Sequence, residues 1–338
     1  MQEDTGHDNN DLPRDTALMK TPNLKRLFNG CLLLGASALL GNPVSAAEDA
    51  SCKTVRMGVV NWTDVIATSA VADVLLNGLG YESRQTSAVQ QIIFAGIRDK
   101  RLDIFLGYWK PAMDKNIGPF VTANQVRVMA SPSLADAQAT LAVPQYVADA
   151  GLKTFGDIAR FRDQLKGTIY GIEPGSGANT TIKTLIDTDH FGLKGFKLVE
   201  SGEAGMLAAV QRAINRKEFV VFVGWTPHPM NINMKITYLT GSEDVYGPNE
   251  GAATVSTVTA PDYAQRCPNV NRLLENLTFS AAQESQLMVP IMERQAPQEV
   301  ARQWLRDHPE DLRRWLAGVT SVDGRDGMVT VQASLEPQ

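Results

Sequence analysis

Long apolar runs, paired metal ligands and an excess of positive charge are all missing from this 338-residue chain. Past Ala46 no stretch is long and apolar enough to span the ~30 Å hydrocarbon core of a bilayer, which leaves the body of the chain to fold in water. Lys and Arg number 32 against 37 Asp and Glu, for a net charge of −5. That balance offers no basic stripe for a nucleic acid. His190, His228 and His308 are scattered without paired spacing, so no metal site is expected. No Gly-x-Ser-x-Gly elbow marks a hydrolase, and no nucleophile–base pair is evident. The chain is therefore not expected to be an enzyme, and no cofactor is implied.

Cysteine is scarce too, with 3 in all. Cys31 lies in a leader: residues 1–18 are polar, Lys20, Lys25 and Arg26 precede the apolar stretch Leu32–Leu40, and small residues follow at Val44-Ser45-Ala46. This reads as a secretory signal peptide cleaved near Ala46, with Met19 a possible true start. The mature chain then keeps Cys52 and Cys267. An even pair in an exported chain reads as a disulfide, with two separate buried thiols as the alternative. The expected location is periplasmic.

What the chain does have is a repeated arrangement of tryptophan. Leu102–Leu106 is a short apolar run that reads as a buried strand; Tyr108, Trp109 and then Pro111 follow, and the strand is expected to stop there, carrying the aromatic pair into a loop. Val55–Val60 ends in the same way at Trp62 and Asp64, and Phe219–Val223 at Trp225. Ligands of open α/β sheets bind at the carboxyl ends of strands. Any one Trp there could simply plug the rim of a core, but three of the 5 tryptophans in one placement favour a shared site. Trp304 and Trp315 lie on amphipathic helices and read as core.

Apolar runs alternate with helical periodicity from Val55 to Met129 and again from Thr140 to Val223, which predicts an α/β fold with a parallel sheet and helices on both faces. Thr63 is placed to cap the first helix. Two lobes are expected, with the chain crossing between them twice. Residues 52–135 with 240–320 form lobe 1, 136–239 form lobe 2, and 321–338 are a C-terminal tail. The cleft between the lobes is the expected ligand site.

Three indole faces suit a quaternary ammonium ion, which donates no hydrogen bonds and is held by cation–π attraction of about 0.5–2 kcal/mol per contact. Asp64 supplies a carboxylate, although its place in a first helical turn would also be favoured by the helix dipole alone. The turn Glu173-Pro-Gly-Ser-Gly-Ala-Asn179 is Gly-rich but lacks the Lys-Ser/Thr of a phosphate loop. Ser176 and Asn179 there are candidates for polar contact with a ligand, or else parts of a helix cap.

At Val60–Asp64, Phe105–Trp109, Tyr170–Gly175 and Val223–Asn231 the chain resembles the choline and glycine betaine substrate-binding proteins of ABC importers, over about Cys52 to Gly318. The resemblance implies the two-lobed periplasmic binding-protein fold (type II-like), a cage of Trp62, Trp109 and Trp225 with Asp64 against the cation, and support for the Cys52–Cys267 disulfide. It also implies an ABC importer permease as partner and a monomeric state. An exported enzyme or a docked sensory module acting on a similar cation is the alternative. Two departures bear on the ligand: Ala139 stands where choline-binding members carry Tyr, and Ser176 where they carry Asn. Both leave room for a bulkier or carboxylated ligand such as glycine betaine or carnitine, with Tyr108 or Tyr146 to replace the lost wall and Lys110 to help with a carboxylate.

Overall fold

Short runs of β-branched and aromatic residues become the strands β1 (Thr54–Val59), β2 (Glu82–Ser87), β3 (Ile104–Lys110), β4 (Arg127–Val128), β5 (Leu134–Pro144), β6 (Thr168–Tyr170), β7 (Lys197–Val199), β8 (Phe222–Thr226), β9 (Ile236–Tyr238) and β10 (Ala252–Thr259). The computed structural model describes residues 48–336, so the leader, its cleavage near Ala46 and Cys31 lie outside the described residues.

The strands form one mixed sheet in the order β2-β1-β3-β10-β5-β8-β6-β7, with β4 on β10 and β9 on β5. One half, β2-β1-β3, is parallel, and so is the other, β8-β6-β7. The two are joined by antiparallel strands: β10 pairs with β3 and β5, and β5 pairs with β8. The sheet is therefore not parallel throughout, as periodicity predicted. The chain passes between the halves along β5 and β10, consistent with a two-lobed binding-protein fold.

These joining strands also correct two expectations about the tryptophans. Trp109 does not leave the sheet after Leu106; β3 runs on to Lys110 because Val255 and Thr254 of β10 pair with Trp109 and Lys110. Trp225 likewise sits inside β8, opposite Ala139 of β5. Both strands end at a cis peptide before proline, Lys110–Pro111 and Thr226–Pro227.

Helices cover the sheet. The first three that matter to the site are α1 (Thr63–Gly78), α2 (Gln90–Arg98) and α3 (Asp114–Thr122). In α1 Val65, Val71, Val74, Leu75 and Leu76 are all buried, against the helices Ala281–Met292, Pro297–Asp307 and Gly327–Leu335. The last of these replaces the expected tail beyond 321: Val331 and Leu335 bury themselves in the core. Trp315 is fully buried and stacks on Trp304 with centroids 5.5 Å apart, as expected of core residues. Among the described residues no helix is long and apolar enough to cross a membrane.

Cys52 and Cys267 form a disulfide, with Cα atoms 5.6 Å apart across a sequence separation of 215 residues. It ties the chain entering β1 to the turn before the helix Pro268–Asn276. Cross-links that close long loops contribute on the order of 2–4 kcal/mol, largely by restricting the unfolded chain.

Candidate functional site

The strand ends bring the three tryptophans together. Trp62, Asp64, Trp109 and Trp225 line one small pocket, with Ala112, Met113, Ala139, Ile172, Gly177, Ala178 and Val223 completing its wall. Trp62, Asp64, Trp109 and Met113 come from the half built on β1 and β3; Ile172, Gly177, Ala178, Val223 and Trp225 come from the half built on β6 and β8. No Lys, Arg or His is among the lining residues.

Each wall is oriented by a polar partner. Trp109 Nε1 donates to Asp64 Oδ2 at 2.9 Å. Trp62 Nε1 donates to both carboxylate oxygens of Glu173 at 2.8 Å. Trp225 packs edge-on against the His228 ring, centroids 4.7 Å apart. An indole N–H is a donor only, so the bonds to Glu173 and Asp64 fix how the Trp62 and Trp109 rings sit, and the His228 contact holds Trp225.

Asp64 is 3% exposed in the first turn of α1. Burial first, and then the nearby Glu203 charge, push its pKa from the ordinary 3.8 up to about 7, while the bond from Trp109 pulls the other way. Glu284, fully buried on the helix Ala281–Met292, is pushed well above the usual carboxylate range by burial and by the charges of Asp64 and Asp136. Burial also raises Glu173, against the opposing bond from Trp62. The site is thus a largely apolar pocket in which the Asp64 carboxylate lacks a cationic side-chain partner. A cation entering it supplies the missing charge.

Ser176 takes a structural place. It is the N-cap of the helix Gly177–Asp187, accepting from Asn179 N at 3.2 Å, and the cavity wall is made by the two residues after it. Asn179 is likewise occupied: its side chain accepts from Ile172 N and donates to Ile172 O, Glu173 O and Glu200 Oε1. Gly177 is required by proximity, since a Cβ there would lie 2.3 Å from the carbonyl oxygen of Ala112. Ala139 does line the cavity, but no tyrosine fills the room it leaves. Tyr108 bonds to Asp114 and Tyr146 to the Glu218 carbonyl, away from the cavity, and Lys110 is exposed at the end of β3.

Thr63 does not cap α1. It is the first helical residue, and Glu203 from the other half binds it. Glu203 and His228 were not legible as site residues: each looks like an ordinary first-turn acid or loop histidine until the fold brings the halves together.

The family model for OpuAC, the substrate-binding domain of an ABC-type glycine betaine transport system, matches residues 53–307. An ABC-transporter choline-binding protein solved with choline is similar at 44% identity and TM-score 0.84, over 86% of this chain and 100% of that one. The glycine betaine/carnitine transport binding protein GbuC of Listeria monocytogenes is 28% identical over 171 residues, 51% of this chain and 56% of that protein. Lactococcal OpuAC, closed on glycine betaine, shares the fold with TM-score 0.70 at 22% identity, covering 78% of this chain and 98% of that one.

Proposed function

The chain belongs to the family of substrate-binding domains of ABC-type glycine betaine transport systems, and from that premise we propose that its cleft captures choline and presents it, chemically unchanged, to an importer permease. The carrying observation is the cavity itself: three indole-bearing walls and one buried carboxylate, with no basic side chain in the lining. Trp62, Trp109 and Trp225 hold the trimethylammonium group by cation–π attraction, and Asp64 balances its charge. A ligand carboxylate would share the pocket with Asp64 and find no Lys or Arg in the lining to answer it, which favours choline over glycine betaine or carnitine. The similarity to a choline-binding protein supports the same choice. The start of the helix Gly177–Asp187 lines the pocket at Gly177 and Ala178, and with the room left at Ala139 it favours a carboxylated ligand.

The lobes in this reading are residues 52–135 with 240–320, and 136–239. Supporting the division, β5 pairs with β10 through its first residues and with β8 through its later ones, so β5 and β10 serve both halves and form the hinge. The helix Gly327–Leu335 packs on α1 and belongs with the first lobe. Secretion to the periplasm, with cleavage near Ala46, and action as a monomer complete the proposal.

Calorimetric titration of residues 47–338 against choline, glycine betaine and carnitine tests it. Choline is expected to bind at micromolar affinity or tighter, more strongly than either carboxylated compound, and to be recovered intact. A preference for glycine betaine would move the tail contact to the helix amides. Absence of heat with all three would remove the quaternary ammonium reading, and conversion to a product would remove the non-enzymatic one.

A further inference from the structure

Trp62 and Thr63 stand at the point where β1 gives way to α1, and each is held by a carboxylate from the other half of the molecule. Trp62 Nε1 donates to Glu173. The Thr63 backbone N–H donates to Glu203 Oε2 at 2.9 Å, and its hydroxyl donates to Glu203 Oε1. Helix α1 needs this partner. Its N-cap position is occupied by Trp62, which makes no side-chain cap bond, so a first-turn amide would otherwise be left without an acceptor.

Glu203 is itself held. Met230 N donates to His228 Nδ1 at 2.9 Å, so in the neutral ring the proton is on Nε2, which donates to Glu203 Oε1 at 3.2 Å. His228 is buried, and its ring packs on Trp225. One continuous set of contacts therefore runs from the Trp225 wall through His228 and Glu203 to Thr63, between the Trp62 and Asp64 walls of the opposite lobe.

We propose that Glu173 and Glu203 form a clasp that closes the cleft by gripping the Trp62–Thr63 step, and that Glu203 is a positioning residue which couples lobe closure to assembly of the cage. The inference rests on the binding reading above but concerns residues that are not part of the cavity lining. When the lobes part, Thr63 loses its cap and Trp62 its acceptor. When they close on an empty site, Glu203 is brought near Asp64, whose proton affinity it raises. A bound cation relieves that repulsion, so the ligand has the differential affinity for the closed state that drives closure. Glu173 and Glu203 thus hold the closed state more firmly once a cation is inside than when none is.

The test is stopped-flow binding of choline to the wild type, Glu203→Ala, Glu203→Gln and Glu173→Gln, together with the indole N–H signals of the five tryptophans in a ¹H–¹⁵N spectrum. Glu203→Ala is expected to speed choline release about 30-fold and change the association rate less than about threefold, as loss of a buried contact acts mainly on dissociation. Glu203→Gln, which keeps an acceptor for Thr63, is expected to recover most of the loss. The melting temperature should fall further for the choline complex than for the ligand-free protein, whereas a merely structural role would lower both alike. Unchanged release, or a loss confined to association, would overturn the clasp.

The spectrum keeps the two readings separable, and it also serves if Glu203→Ala does not fold. If the wild type binds no quaternary ammonium compound, the cage reading falls, and the clasp is judged on the Trp62 signal alone. A Trp62 signal that lies downfield in the wild type and moves upfield in Glu173→Gln supports the clasp. A Trp62 signal identical in both proteins overturns it.

Discussion

Trp109→Ala weakens choline binding by about 2–4 kcal/mol, roughly a hundredfold in affinity, and does so chiefly by faster release. Two losses add. The mutation removes one π face of a desolvated cage, where such a contact is worth ~2 kcal/mol, and it uncovers the packing surface of a side chain that is 6% exposed. Among the described residues it also takes away the only side-chain donor to Asp64, the 2.9 Å bond from Nε1. Trp109→Phe separates the parts: it keeps a face and loses the donor, and it is expected to fall between wild type and alanine. Calorimetry on both variants decides it. Affinity within a factor of two of wild type for Trp109→Ala would take Trp109 out of the cage.

Choline affinity is expected to fall as the medium is acidified, by about 30-fold between pH 8 and pH 5.5, and Asp64→Asn is expected to remove most of that dependence. With the site closed and empty, burial and the Glu203 charge raise the Asp64 pKa to about 7. The cation favours the ionised carboxylate, so below pH 7 binding must expel a proton, and affinity drops tenfold per unit until the pKa of the complex is reached. From about 7 down to 5.5 that is one and a half units, or about 30-fold. The acids that share its surroundings are Glu203, Glu173, Glu284 and Asp136. Glu173 and Glu284 are also raised, so their titration adds to the acid-side loss. The sign for stability is opposite. A buried acid with a raised pKa favours the fold in its neutral form. That contribution is complete below the ordinary value of 3.8 and is lost as pH rises through about 7. The empty protein therefore tolerates acid better than it binds in acid. Titrations from pH 5.5 to 8 that show flat affinity in the wild type would contradict the role given to Asp64.

The site was legible where one residue type repeats in one context. Trp62, Trp109 and Trp225 follow three separate apolar runs, and the fold brings those three strand ends to one place. The helices from Pro268 to Trp315 were legible because their apolar faces recur with helical period and proline marks their starts. The joining strand β10 was not. β10, Ala-Ala-Thr-Val-Ser-Thr-Val-Thr, is buried for most of its length, yet its small and hydroxylated residues make no apolar run. β2 is polar because it lies at the sheet edge and is largely exposed. Without β10, the extension of β3 through Trp109 cannot be inferred, since the pairing that lengthens the strand comes from about 150 residues away along the chain.

Ser176 and Glu203 show the same limit from opposite sides. A serine before Gly-Ala-Asn reads equally as cap or ligand contact, and the structure uses it as cap. An acid opening a periodic helix reads as a dipole complement, and the structure turns its carboxylate to a different helix, in the other half of the molecule. Local pattern reports what an element needs for itself. It carries no record of what that element gives to a neighbour 140 positions away.

Calorimetry comparing choline with its uncharged carbon isostere, in which a tert-butyl group replaces the trimethylammonium, tests the cage most directly. The two have the same shape and the same hydroxyl tail and differ only in charge. The account predicts that choline binds at least about 100-fold more tightly at pH 8, and that Asp64→Asn narrows the gap. Equal affinity for the two would mean that the tryptophans form an apolar pocket selected by shape, and that the cation reading of this site is wrong.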